Sequence, residues 1–248
     1  PAVEQLRRLP TAQRALLRSL VLKMLKALCE AEPSRLLNHL ARVVTAHPAW
    51  HLAVMAVLEL LGYLLRSCPE RFEPRLQTLM RLLTAVLEPG HEETKAQCKP
   101  FLTRVLQSVH ARFPATAFHQ PNQLFVVPNS EHTLVVYNLE TAVEWKVLRG
   151  HRAKVSAAAF DPSGARLVSF SEREELLRVW NVAGQGFFQS LVSAASPFYK
   201  EVRTREGVAQ AQQGSSRPEG CRWRLRFLEG ERVECEERGS GVKFQIPI

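Results

Sequence analysis

Two histidines four positions apart, His47 and His51, are the first side chains whose spacing could support chemistry. Two imidazoles at this spacing on a helix share one face, which is the arrangement of many zinc sites. Pro48 lies between them, however, and no carboxylate or thiol follows at ligand spacing. We therefore expect no metal site and no cofactor.

Motifs of the common enzyme classes are missing from the sequence. It contains no GxSxG, P-loop, GxGxxG or HExxH motif and no pair of carboxylates in a plausible cleft. Gly184-Gln185-Gly186 is too short to cradle a phosphate, and it follows a predicted strand as a turn would. We expect that the chain is not an enzyme and has no catalytic residues.

A further set of polar residues has a spacing that indicates a structural role and not a catalytic one. The segment from Gly150-His151 to Trp180-Asn181 has the outline of a WD-repeat blade, with alternating apolar strands and a tight turn at 161–164. In such blades a His, a hydroxyl, an acid and a Trp form one hydrogen-bonded set, and the candidates here are His151, Ser169 or Ser171, Glu174 and Trp180. Glu stands where Asp is usual and either serine fits, so we expect an incomplete network. The blade prediction rests on periodicity.

The same pattern occurs earlier in the chain. The segments "EHTLVVYN" and "EELLRVWN" align residue for residue, and Tyr137 precedes its counterpart Trp180 by 43 residues, which is the spacing of WD-repeat blades. A polar loop is predicted over 206–220. The predicted strands around these features are Gln123–Val127, Thr133–Asn138, Ala142–Leu148, Phe187–Val192, Tyr199–Arg203, Cys221–Leu228, Arg232–Glu236 and Val242–Ile246.

These strands amount to about two and a half blades, whereas a closed propeller needs at least four. An open stack leaves strand edges unpaired. We therefore expect strands from elsewhere in the full protein, or from a partner, to complete a ring. The sequence begins with Pro1 rather than Met, so we also expect it to be part of a longer protein.

Residues 11–113 show helical periodicity instead. Thr11 begins a first helix, and Leu16, Leu17, Leu20, Met24, Leu25 and Leu28 are predicted to line its packed side, with Arg14, Arg18 and Lys26 in solvent. Prolines mark the starts of the later helices. Those helices are Arg35–Thr45, one starting at Pro48, one starting between Pro69 and Pro74, and one over Glu92–Phe113 with a kink or restart at Pro100. Alternate helices begin about 40 residues apart, which is typical of HEAT or armadillo repeats; an ordinary helical bundle is the alternative.

Composition limits the remaining classes. Of the 248 residues 46% are hydrophobic, which is ample for a core, and the net charge is +9. The five cysteines include no CxxC pair, so buried free thiols are expected. The apolar run at 52–65 is shorter than the about 20 residues of a spanning helix, so we predict a buried helix and no transmembrane segment. Basic residues are dispersed, and we expect no nucleic-acid binding.

Arginines alternate with apolar residues near the end of the chain. Arg222, Arg224 and Arg226 share one face of a predicted strand. Such a row could bind an acidic partner. We instead expect Glu234 and Glu236, on the neighbouring strand, to neutralise it as cross-strand pairs.

The sequence thus predicts an α+β multidomain chain. Residues 1–116 are predicted to form α-helical solenoid repeats, and residues 117–248 the C-terminal portion of a WD-repeat β-propeller. The helices followed by "LVVYNLETAVEWKVLRGH", "VSAAAFDPSGARLVSFS", "LRVWN" and "CRWRLRFLEGERVECEERGSGVKFQI" resemble the C-terminal region of the rabconnectin beta-subunit family of WD-repeat proteins.

This resemblance implies a non-enzymatic scaffold that regulates assembly and activity of the vacuolar proton-pumping ATPase. The implied partners are a larger WD-repeat protein and proton-pump subunits, and the implied location is the cytoplasm, peripheral to endomembrane vesicles. The alternative is a structural component of a ciliary, axonemal or other large assembly, located at a cilium or the cytoskeleton. On either hypothesis we expect exposed basic residues to bind partners, and the candidates are Arg14, Arg18, Lys26, Lys200, Arg203 and Arg205.

Overall fold

Helices form the first part of the chain. A computed structural model describes residues 10–46, 51–87, 92–182, 198–204, 223–229, 231–238, 241 and 243–248. The helices are α1 (Thr11–Ala31), α2 (Pro33–Ala46), α3 (His51–Ser67), α4 (Leu76–Ala85) and α5 (Glu92–Arg112), with 3-10 turns at Pro69–Arg71 and Glu73–Arg75. The predicted helices are confirmed within a few residues. Pro100 lies inside α5 and starts no new helix.

The helices pack in two layers. Helix α3 contacts both α1 and α5, and α2 contacts α4. Because α3 is covered from several sides, its apolar residues are buried around most of its circumference, including Leu58, Leu61 and Leu65. The apolar run at 52–65 is therefore a core helix, as predicted. Layered packing of this kind is compatible with stacked helix pairs, and the HEAT or armadillo assignment stays a prediction.

None of the described helices alone has the length and hydropathy to cross a bilayer. Among them, α3 and residues 69–85 reach that length and hydropathy together, as a pair bent by 106°.

Eleven described strands form three antiparallel sheets. The first sheet has the order β1-β2-β3-β4, the second β5-β6-β7-β8, and the third β9-β10-β11. The predicted strands in the described regions are confirmed within one or two residues, whereas Phe187–Val192 and the loop at 206–220 lie outside those regions. The strands are β1 (Ala117–His119), β2 (Leu124–Pro128), β3 (Leu134–Asn138), β4 (Val143–Leu148), β5 (Ala157–Phe160), β6 (Arg166–Ser171), β7 (Leu176–Asn181), β8 (Phe198–Arg203), β9 (Trp223–Leu228), β10 (Arg232–Glu237) and β11 (Lys243–Pro247).

The helical unit covers one face of the first sheet. Alternate residues of β3 point to opposite faces, so Val135 and Tyr137 pack against the helices while Leu134 and Val136 pack toward the second sheet. In the second sheet Trp180, the counterpart of Tyr137, packs toward the first sheet. The helices therefore occupy the position that a preceding blade would have. Core residues on both sides of the predicted boundary at 116/117 pack together, and the boundary itself stays a prediction.

The third sheet closes the other end of the stack. Trp223, Leu225 and Val233 pack against the second sheet, and the opposite face carries Arg224 and Glu236. A charged outer face does not need another layer to cover apolar surface. Completion of a ring by further strands therefore stays a prediction, but burial of the described core does not require it.

The turn at residues 161–164 connects β5 to β6 in the second sheet and contacts β1 of the first sheet. Gly164 has a φ of +72°, and a Cβ there would lie 2.5 Å from His119 Nδ1. The His119 imidazole contacts the Pro162 carbonyl oxygen at 3.1 Å. Glycine is needed at this turn because both the backbone conformation and the close approach exclude a side chain.

The four cysteines in the described regions are buried free thiols, as predicted, and Cys221 lies outside those regions. Cys29 and Cys68 have their sulfurs 3.5 Å apart, between α1 and the end of α3. Burial raises the pKa of the Cys29 thiol to about 12, with a further contribution from its bond with Cys68. Both thiols therefore act as core groups.

Candidate interaction surfaces

A hydrogen-bonded network lies within the second sheet, and the prediction that it is incomplete was wrong. Trp180 Nε1 donates to Ser169 Oγ at 2.7 Å, and Ser169 Oγ lies 2.7 Å from His151 Nε2. His151 Nδ1 lies 2.5 Å from a carboxylate oxygen of Glu174. The longer Glu side chain thus reaches the position that Asp usually fills. Ser169 is the hydroxyl member, while Ser171 bonds the Lys154 carbonyl oxygen instead.

When His151 is neutral with its proton on Nδ1, each side-chain proton of these four residues has one acceptor. Trp180 donates to Ser169, Ser169 donates to His151 Nε2, and His151 Nδ1–H donates to Glu174. Arg178 lies against the last pair, with its Nη1 2.9 Å from His151 Nδ1 and 3.4 Å from a Glu174 oxygen. Burial lowers the pKa of His151, and although Glu174 opposes this shift, the imidazole stays neutral near pH 7. Burial opposes ionisation of Glu174, but bonds from the Arg152 backbone N–H and His151, together with the charge of Arg178, lower its pKa.

The serine, histidine and glutamate have the connectivity of a nucleophile, a base and its orienting acid. Ser169 is 0% exposed, and its oxygen already accepts the indole N–H of Trp180. A substrate could reach this hydroxyl only after Trp180 left the core. The arrangement therefore joins strands β6 and β7 to the loop at His151 and does not perform acyl transfer.

The network predicts how stability depends on pH. The pKa of His151 is lower in the folded state, so below its ordinary value of 6.5 the unfolded chain takes up a proton that the folded chain refuses, and stability is lost. Glu174 adds a loss at lower pH, because its folded pKa is also lowered. Between about pH 7.5 and pH 5.5 the unfolding free energy should fall more for the wild type than for His151→Gln, as measured by urea denaturation. Equal pH dependence in both proteins would refute the assignment.

The predicted basic residues lie on two separate elements. Arg14, Arg18 and Lys26 belong to α1, and Lys200 and Arg203 belong to β8 at the edge of the second sheet. Arg18 lies 3.7 Å from Glu59, and Lys26 lies 3.6 Å from Glu30, both in exposed pairs. Arg205 lies outside the described residues, as does His47. The partner-binding role of these residues stays a prediction.

Of the six apolar residues that were predicted to line the packed side of helix α1, Leu25 packs against the core. The other five belong, contrary to the prediction, to an exposed apolar stripe. Its members are 41–72% exposed, with Met24 the most exposed. With 3.6 residues per turn they fall within an arc of about 140°, opposite the side where Cys29 is buried. The reason is that α1 packs through Leu22, Leu25 and Cys29, which leaves the broader apolar face uncovered. The stripe consists of Leu16, Leu17, Leu20, Val21, Met24 and Leu28.

The basic residues of α1 do not form a border around this stripe. By helical position, Lys23 lies beside the stripe, whereas Arg18 and Lys26 lie about 60° and about 80° beyond its edges, toward the packed side. Glu30 is the only acidic residue of the helix. Sequence periodicity identifies the apolar face of α1, but it does not show which side of α1 packs against the other helices.

A second feature that sequence reasoning missed is a cleft of about 570 Å³ between the end of α5 and strands β1, β5 and β9. Three arginines line it: Arg224, Arg226 and Arg238. Asp161 is the only carboxylate among the described lining residues, and it bonds Ser163 Oγ at 2.8 Å and the Arg166 backbone N–H at 3.0 Å. The cleft is therefore positively charged.

The expected neutralisation of the arginine row is only partly present. Arg224 lies opposite Glu236 and Arg226 opposite Glu234 in the register of β9 and β10, as predicted. The ion pairs of these glutamates are made with Lys243 instead, at 3.1 Å for Glu236 and 3.9 Å for Glu234. In the regions that the structure describes, Arg224 and Arg226 form no ion pair. Arg222 lies outside those regions.

The strand order and the network together define the second sheet as a blade of the WD-repeat type. No family model and no curated protein matches the sequence. The chain is similar to solved structures that include the β-propeller domain of Myceliophteria thermophila Cps50 (Swd1), at 15% identity over 53% of this chain and 38% of that chain, with a TM-score of 0.30. Another is Kluyvelomyces marxianus Hsv2, at 11% identity over 49% and 35% of the two chains, with a TM-score of 0.35.

A third similar structure is the computationally designed Ika8 protein, at 17% identity over 51% of this chain and 30% of that chain, with a TM-score of 0.32. The chain thus spans between 30% and 38% of the length of these three structures. These low similarities carry no argument about function. The blade assignment rests on the sheet order and on the network of Trp180, Ser169, His151 and Glu174.

Proposed function

We propose that the chain is a non-enzymatic scaffold that binds protein partners through the apolar stripe of α1. The exposed stripe is the observation that carries this proposal. A run of large apolar side chains on one helix costs hydration free energy unless a partner covers it. In the part of the chain that the structure describes, the side chains of this run are 41–72% exposed, so a partner can contact them without any rearrangement of the core.

An amphipathic helix is the partner that fits this surface. Leu17, Val21, Met24 and Leu28 follow steps of four, three and four residues, which is the spacing of a helix–helix seam. The stripe is about 18 Å long at 1.5 Å per residue, which matches three to four turns of a facing helix. Lys23, beside the stripe, would pair with an acidic residue flanking the partner's apolar face.

The resemblance to the rabconnectin beta-subunit family supports a finer proposal. On this hypothesis the scaffold acts with a larger WD-repeat protein to regulate the vacuolar proton pump, at the surface of endomembrane vesicles. Membership of a ciliary or axonemal assembly is the competing hypothesis, and it uses the same surface. The identity of the proteins that bind α1 distinguishes the two.

Affinity purification from cells tests the proposal. The variant Leu20→Glu/Met24→Glu should lose its specific partners by at least about tenfold, because two charges in an apolar seam cost more than 1.4 kcal/mol. Its thermal unfolding should match the wild type, since both side chains are exposed in the free chain. Quantitative mass spectrometry of the recovered proteins gives the result.

The matched control is Gln97→Glu/Lys99→Glu, which adds two carboxylates at exposed positions of α5. This variant should retain the partners that the α1 variant loses. Recovery of pump subunits with the wild type would support the finer proposal, and recovery of axonemal proteins would support its competitor. Retention of every partner by the α1 variant would refute the role of the stripe.

A further inference from the structure

The cleft between α5, β1, β5 and β9 has a chemistry that the scaffold role of α1 does not use. Arg224 and Arg226 project from the same face of β9, about 6.8 Å apart, because alternate residues of a strand are separated by two rises of about 3.4 Å. The same distance separates alternate side chains of any extended peptide. Two carboxylates at that spacing could therefore each meet one guanidinium group.

The charges in the cleft favour an anion. The ion pairs of Glu234 and Glu236 are made with Lys243, although the charges of Arg224 and Arg226 also contribute to lowering the pKa of Glu236. Asp161 is satisfied by Ser163 and by the Arg166 backbone. A guanidinium group that forms no ion pair is suited to bidentate binding of an incoming carboxylate. Aromatic and aliphatic side chains, including Phe118, Phe160 and Phe227, form other parts of the wall. The cleft thus combines cationic and apolar contacts.

We propose that this cleft is a binding site for an extended acidic peptide in which carboxylate side chains alternate with apolar ones. The carboxylates pair with Arg224 and Arg226, and the apolar side chains contact the aromatic wall. The peptide comes from a partner protein. This site is independent of the α1 stripe, which lies on the first helix of the chain.

Fluorescence anisotropy tests the proposal directly. The probe is a short fluorescein-labelled peptide of alternating aspartate and valine, and the protein is the whole 248-residue chain. Arg224→Gln and Arg226→Gln should each weaken binding about tenfold, because each removes a charge-assisted hydrogen bond. Arg232→Gln is the matched control: Arg232 is exposed on β10 of the same sheet and bonds Gln245 at 3.3 Å, away from the cleft.

A second readout locates the peptide. Desolvation lowers the pKa of His110, and the charges of Arg224 and Arg238 lower it further. A bound carboxylate offsets those charges, so the peptide should raise the pKa of His110 in proton NMR titrations. The Arg232→Gln variant should show the same rise.

Four results would overturn the assignment. The first two are unchanged peptide affinity in both Arg224→Gln and Arg226→Gln, and a loss of peptide affinity in Arg232→Gln as large as theirs. The third is equal affinity of the wild type for a peptide of alternating asparagine and valine. The fourth is displacement of the probe by millimolar inorganic phosphate as effectively as by the unlabelled peptide. The last would indicate a general anion site. Because Arg224, Arg226 and Arg232 are exposed, the unfolding curves of the three variants should coincide with that of the wild type.

Discussion

Trp180→Ala should destabilise the protein by about 3–5 kcal/mol, the cost of removing a large buried aromatic side chain. The indole is 0% exposed between the first two sheets, and its N–H is bonded to Ser169. Truncation therefore opens a cavity and also leaves the serine, histidine and glutamate without their fourth member. In differential scanning calorimetry the Tm should fall by about 10 °C.

Trp145→Ala is the matched control, because Trp145 is only half-buried on β4 of the first sheet. It should cost less than about 2 kcal/mol, since part of its surface is already hydrated. Trp180→Phe keeps one six-membered aromatic ring and removes the pyrrole ring with its N–H. It should therefore cost less than Trp180→Ala, about 1–3 kcal/mol. Equal destabilisation by Trp145→Ala and Trp180→Ala would contradict the central position of the network.

Residues 117–248 expressed without the helices should be insoluble. Removal of the helices exposes the apolar face of the first sheet, formed by Phe125, Val127, Val135, Tyr137 and Leu139. Burial of five such side chains is worth on the order of 10 kcal/mol, which is comparable to the total stability of a domain. Centrifugation of lysates, followed by size-exclusion chromatography of any soluble material, measures the outcome.

Co-expression of residues 1–116 as a separate chain provides the control. Because these residues supply the covering face, they should restore soluble 117–248 in a complex with the helical unit. A soluble monomer of 117–248 with one cooperative unfolding transition would show that the first sheet does not depend on the helices. That outcome would also remove the analogy between the helical unit and a preceding blade.

Much of the fold was predictable from local sequence patterns. Prolines marked several helix starts, and the alignment of Tyr137 with Trp180 placed two blades in register. Strand β1, with only three residues, was too short to give a period. The network was underestimated because spacing alone does not show that a Glu side chain can reach where Asp usually stands.

The candidate surfaces were less accessible to sequence reasoning. An amphipathic pattern on α1 shows that apolar residues share a face, but it does not show whether another part of the chain covers that face. The assumption that the face was packed was the error. The arginine row was recognised from alternation, whereas the role of Lys243 depends on the order of β9, β10 and β11, which only the folded sheet establishes.

The central claim, that a partner helix contacts the α1 stripe, is tested most directly by site-specific photocrosslinking in cells. A photoreactive amino acid replaces Met24 on the stripe or, as the control, Gln97 on the exposed surface of α5. We predict a defined protein adduct at Met24 that maps to an amphipathic helix of the partner, and no such adduct at Gln97. Absence of an adduct at Met24, in cells where the chain still co-purifies with its partners, would contradict the claim.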